Sequence, residues 1–351
     1  MKRAVVATYC ERDSYGSVYQ AMALKNALRQ LDVDSVIPKL AEQKNQYKLP
    51  FYMPKSPGQC VIVANRILHK KQMEKRFART MEFIQQQVDI DTYASYEELQ
   101  AQAQADYYIA GSDQIWHPHL CNPVFFLDFA PEGRRISYAA SMGTTKIPED
   151  KKERFYQLLK NFDKVSVREE DNVPVIQPGV DSDVQVHIDP TFLCEPSFWE
   201  EKEIPYDIKE PYILVYPLYW DPSLNEQLKK LHKESGVKIV AVCNDWMPVY
   251  ANRFLYDVGP GEFLWLIHHA EAVITSSFHG VALSTIYNQK LAMVVNPKMP
   301  SRLNNLANLL GLEKAEITNV LNMDKGFYAQ VNQKIQEEKA RSMAYLTENL
   351  K

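Results

Sequence analysis

The feature that most constrains this 351-residue chain is the alternation of short, β-branched apolar runs with longer helical patterns along most of its length. Parallel strands need crossovers, usually helical, so this alternation predicts βα units around mainly parallel sheets. The first unit shows it. Ala4-Val5-Val6-Ala7-Thr8 reads as a buried strand, and a polar turn ending at Gly16 leads into a helix with Val18, Ala21, Met22, Leu24, Leu28 and Leu31 on or near one face. Ser17 and Gln20 have capping-box spacing for its start. Residues 33–38 return as a second strand, 41–58 carry turn residues with little periodicity, and 61–88 look helical. Three further strands follow at 107–110, 136–140 and 165–167.

A second series begins after Pro196, with strands at 212–216, 237–242, 272–275 and 291–295 and helices at 223–235, 261–270, 278–287 and 302–310. A run rich in Pro, Glu and Lys over 195–210 separates the two series, as a domain boundary does. The expected architecture is α/β: two Rossmann-like βα domains facing a cleft. Residues 1–195 form the first, with a variable excursion over 41–105, and residues 196–327 form the second. Residues 328–351 read as a long charged helix crossing back to the first domain.

Composition narrows the function classes. Forty basic against forty-four acidic side chains give a formal charge of −4, which removes a global electrostatic case for nucleic-acid binding. Cys10, Cys60, Cys121, Cys194 and Cys243 are odd in number and never paired as CxxC, so neither a disulfide framework nor a zinc knuckle is suggested. The amino terminus reaches Glu11-Arg12-Asp13 too soon for a signal peptide, and no apolar run approaches the ~18–20 residues of a membrane span. A soluble, cytoplasmic protein is expected. One stretch is locally basic: Arg66, Lys70, Lys71, Lys75, Arg76 and Arg79 stand against Glu74 alone, interleaved with Ile67, Leu68, Met73 and Phe77. It is either a solvated helix face or a peripheral contact with the cytoplasmic membrane face.

Ligands of an open parallel sheet bind beyond the carboxyl ends of its strands. Gly111-Ser112-Asp113-Gln114, Ser141-Met142-Gly143-Thr144 and Arg168-Glu169-Glu170 each follow a predicted strand, and Asp189 closes the short run 186–188. Ser276-Ser277-Phe278-His279-Gly280 lies where a strand meets a helix, so free backbone N–H groups and the helix dipole favour an anion there. His279 can bind that anion and move a proton, or simply pack at the helix start. Arg168 has the planar fork for a carboxylate or phosphate, or it pairs with Glu169 or Glu170. His117 and His119 flank Pro118 with no Cys or carboxylate at recognised spacing, so neither a metal nor another cofactor is expected. Tyr15, Tyr216, Trp220 and Trp246 follow predicted strands, either to stack on a sugar or base or to fill the core.

Together the segments DSYGSVYQAMAL (13–24), DYYIAGSDQIWHP (106–118), FFLDFAPEGRRISYAASMG (125–143), VSVREEDN (165–172), HIDPTFL (187–193), AVITSSFHG (272–280) and RLNNLANLLGL (302–312) resemble the polysaccharide pyruvyl transferase family. GSDQIW and SFHG, in this order and at domain-scale separation, are the specific part. The resemblance implies a fold similar to the GT-B glycosyltransferases and transfer of a pyruvyl group from phosphoenolpyruvate to hydroxyls of a cell-surface glycan sugar. It also implies a nucleotide-sugar or lipid-linked saccharide acceptor. Arg168 and His279 match positions associated with phosphoenolpyruvate. The chain departs at Ser277, where many members carry an arginine; Arg302 or another basic residue would then supply the missing cation. His279 is the expected general acid, with Arg168 on the donor and Asp113 or Asp189 as base. Gly16, Ser17, Gly111, Ser112, Gln114, Ser141, Gly143, Ser276, Ser277, Phe278, Gly280 and Arg302 are expected around the substrates. A GT-B glycosyltransferase using a nucleotide sugar and a non-catalytic glycan-binding relative are the alternatives.

Overall fold

The computed structural model describes residues 1–10, 14–41, 56–219, 221–243, 249–297 and 299–350. Trp220, Trp246, residues 11–13 and most of the 41–58 stretch lie outside the described residues. The first half runs β1 (Lys2–Ala7), α1 (Tyr15–Gln30), β2 (Val33–Leu40), α2 (Pro57–Leu68), α3 (Lys70–Gln87), β3 (Ile90–Tyr93), α4 (Tyr96–Gln102), β4 (Tyr107–Ala110), β5 (Arg135–Ser137), α5 (Glu149–Leu159), β6 (Val165–Val167), α6 (Val173–Ile176), β7 (Val184–Val186) and α7 (Pro196–Glu200). The second runs β8 (Tyr212–Tyr216), α8 (Pro222–Ser235), β9 (Lys238–Val242), β10 (Arg253–Leu255), α9 (Pro260–His268), β11 (Ala272–Thr275), α10 (Phe278–Ile286), β12 (Leu291–Met293), α11 (Ser301–Leu310) and α12 (Tyr328–Asn349).

Two five-stranded sheets result, ordered β3-β2-β1-β4-β5 and β10-β9-β8-β11-β12, and their described pairings are all parallel. The orders correspond strand for strand, each reversing direction beside its first strand. β6 and β7 pair in parallel, and bridges Ile136–Lys164 and Ala140–Val167 carry that pair on from β5.

One apolar core joins the sheets: Val6, Leu24 and Leu28 belong to the same cluster as Leu214, Phe263, Leu283 and Leu346. α1 lies at its centre and is buried on nearly every side, because one face packs on the first sheet while the other meets α9 and α10. Tyr15 and Tyr19 reach out of α1 to donate hydrogen bonds to the carbonyls of Val258 (2.6 Å) and Pro260 (2.7 Å). α12 starts on the second sheet, where the Tyr328 hydroxyl donates to Gln289 O, and ends against the first, where that of Tyr345 donates to Ser137 O at 2.9 Å.

Several sequence expectations need correction. The N-cap of α1 is Ser14, not Ser17; the Ser17 hydroxyl donates to Ser14 O, and Gln20 Nε2 donates to Thr8 Oγ1, Tyr9 O and Ser17 O instead of closing a capping box. The helix over 61–88 is two, broken at His69 (φ −104°, ψ 15°). The strand at 136–140 stops at Ser137, since Ala139 takes a positive φ of 48°. The run at 186–188 pairs two residues earlier, as β7. β3, α4, α5, α6, α7 and β10 are elements the sequence pattern does not announce.

The basic stretch is divided: Lys70 and Lys71 are exposed, while three cations further along bind within the protein. Arg76 is buried and donates to Cys243 O at 2.9 Å, Lys75 pairs with Asp257 at 3.0 Å, and Arg79 Nε pairs with Glu262 at 3.1 Å. These three cations hold α3 against the second half of the chain. Among the described residues no helix is long and apolar enough to cross a membrane.

Candidate active site

In each sheet the strand order reverses between its two central strands, β1/β4 and β8/β11, and the crevice beyond their carboxyl ends is where such folds take ligands. The two crevices meet. A cavity of about 280 Å³ is lined by Ser14, Gly16 and Ser17 after β1, Asp113 and Gln114 after β4, Tyr216, Leu218 and Tyr219 at and after β8, and Ser276 to His279 after β11. Asn296, Met299, Arg302 and Leu303 close it.

The second half contributes the amino end of α10. Ser277 is its N-cap, accepting from Gly280 N–H at 3.3 Å; Thr275 Oγ1 accepts from Ser277 N–H and donates to Tyr216 O. Gly280 is required here, since a Cβ would meet Thr275 Oγ1 at 2.8 Å. Ser276 Oγ accepts from Leu218 and Tyr219 N–H, which ties the β8 loop over the helix start. His279 is 6% exposed, and its buried Nε2 has no hydrogen-bond partner among the described residues. Asp189 Oδ2 stands 3.6 Å from that nitrogen. On the other edge of the imidazole, a Cβ on Gly16 would lie 2.0 Å from Nδ1, so only glycine lets the first turn of α1 close on the ring.

The first half contributes a buried polar network, in which Arg168 Nη2 and Glu169 Oε2 have no hydrogen-bond partner among the described residues. Arg168, after β6, donates from Nε to Glu169 Oε1 (2.9 Å) and from Nη1 to Asp189 Oδ2 (2.7 Å). Ser141 Oγ donates to Glu169 Oε1 and accepts from Gly143 N–H; Ser112 Oγ donates to Asp189 Oδ2. Asp189 Oδ1 accepts from Thr191 N–H and Oγ1–H. Burial opposes a charged Asp189, yet His279 and then Arg168 outweigh it and hold the carboxyl far below the ordinary range. Burial likewise works against the Arg168 charge, and Glu169, Asp189 and Asp113 together reverse that and hold its proton more tightly than usual.

The expected residues therefore divide. Gly16, Ser17, Asp113, Gln114, Ser276, Ser277, Phe278, His279 and Arg302 line the cavity. Gly111, Ser112, Ser141, Gly143 and Gly280 are buried behind it; Gly143 has φ +67° and sits where a Cβ would strike Gln114 Oε1. Arg168, Glu169 and Asp189 line a second cavity of about 440 Å³, which shares Phe278 and Arg302 with the first. The Arg168 and Arg302 guanidinium carbons lie 4.1 and 5.6 Å from the Phe278 ring centroid. Burial, followed by the nearby Arg168, lowers the pKa of Arg302.

Tyr216 lines the first cavity, whereas Tyr15 stacks on Phe263 at 4.4 Å and belongs to the core. The rings of His117 and His119 lie 5.5 Å apart, and among the described residues the group with metal-ligand proximity is instead Glu203, His268 and His269, outside both cavities. Sequence reasoning missed Ser14, Asn296 and Met299 at the cavity. It also missed Ala139, whose unusual backbone φ in Tyr138-Ala139-Ala140 marks the bend that leads to Ser141.

Two parallel Rossmann-like halves that meet across one cleft define the GT-B class of fold. The Neisseria meningitidis UDP-GlcNAc 2-epimerase bound to UDP-GlcNAc has it too, with a TM-score of 0.52 and 12% identity over 100% of this chain and 99% of that one. The S. aureus MnaA-UDP co-structure gives a TM-score of 0.51 and 10% identity over 94% and 91%. The Streptomyces sp. SF2575 glycosyltransferase SsfS6, complexed with thymidine diphosphate, is similar at a TM-score of 0.44 and 14% identity over 97% and 96%. At these identities the likeness to the first two shows the fold alone. No curated protein sequence matches the chain. The polysaccharide pyruvyl transferase family model matches residues 15–296, and the chain belongs to that family.

Proposed function

We propose that the protein transfers a pyruvyl group from phosphoenolpyruvate to two hydroxyls of a cell-surface glycan sugar, forming a ketal and releasing phosphate. The observation that carries this reading is the meeting of both crevices at one small cavity that holds the start of α10, His279 and Arg302. Its volume of about 280 Å³ falls just below the ~300–1,000 Å³ typical of ligand pockets, which suits a three-carbon phosphate ester better than a nucleotide sugar. Phosphoenolpyruvate is a compact polyanion, and helix N–H groups with a guanidinium match its charge.

In this reading His279 protonates the methylene carbon, so that positive charge develops at the adjacent carbon as the methyl group forms. One sugar hydroxyl attacks that carbon and passes its proton to Asp113. The bond from carbon to the phosphate oxygen breaks, and the second hydroxyl attacks to close the ketal. Of the two hydroxyl protons, one replaces that of His279 and the other leaves on phosphate. Asp189 is a poor base here, because both of its oxygens are already engaged and its proton affinity is depressed. It serves by facing the imidazole at 3.6 Å and fixing the ring's surroundings.

The donor belongs to the side built by residues 196–327 and the acceptor to that built by 1–195, with the acceptor sugar carried on a nucleotide or a lipid. Enzyme and substrates meet in the cytoplasm. Peripheral contact with the membrane face would fall on α2 and the first turn of α3: Val61, Ile67 and Leu68 are 42%, 58% and 77% exposed beside the exposed Lys70 and Lys71. The test of the reaction is release of inorganic phosphate from phosphoenolpyruvate across a panel of nucleotide-linked and lipid-linked saccharides. Acceptor-dependent release with a new ketal in the product supports it. Sugar transfer from a nucleotide sugar with no response to phosphoenolpyruvate replaces it with the glycosyltransferase alternative.

A further inference from the structure

We infer that Glu203, His268 and His269 form a binding site for one divalent transition-metal ion of the zinc class, which ties the segment joining the two halves to the carboxyl end of α9. The site lies outside both cavities and is independent of the pyruvyl-transfer reading. Sequence spacing hides it, because 65 residues separate Glu203 from His268.

The donor atoms are already gathered. His268, the last residue of α9, has Nδ1 2.8 Å from Glu203 Oε1, and His269, the next residue, has Nδ1 3.8 Å from Glu203 Oε2. Two ligands of a tetrahedral zinc ion, each about 2.0–2.2 Å from it, lie about 3.3–3.6 Å apart. The two separations bracket that range. Both rings are held in place by neighbours: His268 stacks on Tyr287 at 4.3 Å and His269 on Trp265 at 4.5 Å, while Gln289 Nε2 donates to His268 O. Metal binding exchanges existing bonds. The contacts of His268 Nδ1 with Glu203 Oε1 and of His269 Nδ1 with Trp265 O at 3.0 Å give way as each ring carries its proton on Nε2 instead.

Two independent features call for a cation there. The Glu203 side chain is 10% exposed, and among the described residues its only ion-pair partners are the two imidazoles, with no lysine or arginine. Buried charges are normally paired or bound to metals. This one also sits at the carboxyl end of α9, where the free carbonyls and the helix dipole disfavour an anion and favour a cation. The second feature is the Tyr287 hydroxyl, at the end of α10, which is buried and makes no hydrogen bond of ordinary geometry among the described residues. Burial, and then the charge of Glu203, push its pKa up, so it stays protonated and offers a donor to the cluster. A water completing the shell of the ion would accept that bond.

Two imidazole nitrogens and one carboxylate oxygen suit zinc, whereas magnesium and calcium prefer shells of oxygen alone. The place of the site makes the ion structural. Ile204 N–H already donates to Gly261 O at 3.0 Å in the first turn of α9, and the ion would fasten the same connecting segment to the last turn. Because Tyr19 of α1 bonds to Pro260 O, α9 is also the element through which the second half holds the first.

The experiment titrates the full chain, stripped with EDTA and dialysed, with Zn²⁺ and Mg²⁺ by calorimetry and with Co²⁺ by visible absorption. Wild type should take up one Zn²⁺ per chain with a Kd of about 1 μM or tighter, ignore Mg²⁺, and rise in unfolding midpoint as Zn²⁺ is added. Glu203→Gln, His268→Ala and His269→Ala should each weaken Zn²⁺ by about 100-fold or more, and Tyr287→Phe by about 10-fold, since outer partners are worth ~10–100-fold. The double variant His117→Ala, His119→Ala removes the other close histidine pair and should leave uptake unchanged. Weaker wild-type binding overturns the inference, as does equal uptake by Glu203→Gln. An ion pair that needs no metal would show itself as a midpoint lowered by Glu203→Gln and indifferent to Zn²⁺ in the wild type, which also overturns it. If the ligand variants fail to fold, the wild-type Co²⁺ spectrum decides: bands of a nitrogen and oxygen shell support the site, and a thiolate charge-transfer band, from capture by the exposed Cys60 or another cysteine, refutes it.

Discussion

The two halves of the site are built on the same strand order and end in opposite conditions. Beyond β6 and β7 the first half pairs its charges internally: Arg168, Glu169, Asp189, Ser112 and Ser141 bond one another in a buried network, in which Arg168 Nη2 and Glu169 Oε2 alone are left without a partner among the described residues. Beyond β11 the second half stays open, with Ser276, Ser277 and His279 facing a cavity and a buried His279 Nε2 without a partner. Topology therefore locates a site without deciding its role. A network whose charges already hold one another positions; a set of polar groups that faces a cavity binds.

If that contrast is right, damage to the two sides should differ in kind. The largest expected effect is on turnover from the open side: His279→Gln should lower phosphate release per folded molecule by on the order of 10²–10⁴ while the unfolding midpoint stays near wild type. A folded variant with wild-type turnover on the true acceptor removes His279 from the mechanism. Next comes stability on the closed side. Asp189→Asn removes one of the two carboxylates on the buried Arg168, leaving Glu169, and should cost about 1–3 kcal/mol, read as a lower urea midpoint. A midpoint unchanged from wild type would show that the network is not the scaffold described.

Acid sensitivity sharpens the same distinction. His187, two residues before Asp189, lies beside Tyr345 with Nδ1 2.8 Å from Ser166 Oγ. Burial first, and then Arg341, pull its pKa from 6.5 down to about 4. The unfolded chain therefore takes up a proton that the folded one refuses, so stability is full above pH 6.5 and is lost as pH falls toward 4. At about 1.4 kcal/mol per tenfold change in proton affinity, the loss is roughly 3 kcal/mol. Asp189, also depressed, adds a further loss below its ordinary value of about 3.9. His187→Gln should flatten the upper part of this acid limb, and an identical limb in the variant counts against the assignment.

Gly16→Ala joins the two halves in one substitution. Alanine normally favours a helix by about 1 kcal/mol, but here its Cβ would push on the imidazole. The expected result is a fall in kcat on the order of 10² from misplacement of His279, exceeding any change in unfolding midpoint. The smallest effect concerns α2. Replacing Ile67 and Leu68 with Asn should reduce sedimentation with phosphatidylglycerol vesicles and leave phosphate release on a soluble acceptor unchanged; equal sedimentation would dismiss the membrane contact.

Much of this site was legible because strand ends announce themselves. Gly111-Ser112-Asp113-Gln114 and Ser276-Ser277-Phe278-His279-Gly280 interrupt apolar runs with small polar residues, and both are where the pattern puts them. What escaped is tertiary. Nothing local distinguishes Ser17 from Ser14 as N-cap, because the outcome depends on Thr8 and Tyr9 occupying Gln20. No Gly or Pro marks the break at His69, which stacks on Tyr256 from the second half. The separation of Arg168 from His279 by cavity was equally hidden, since it depends on Asp189, 21 residues beyond Arg168, claiming the guanidinium.

The central claim is that the cavity where the two crevices meet binds a small polyanion at the start of α10. Its most direct test is parallel titration of the wild-type protein with phosphoenolpyruvate and with UDP-GlcNAc at low and high salt. The account predicts saturable binding of phosphoenolpyruvate, weakened by salt as screening of an accessible charged site requires, and not displaced by UDP-GlcNAc at comparable concentration. Binding of UDP-GlcNAc with none of phosphoenolpyruvate would contradict it.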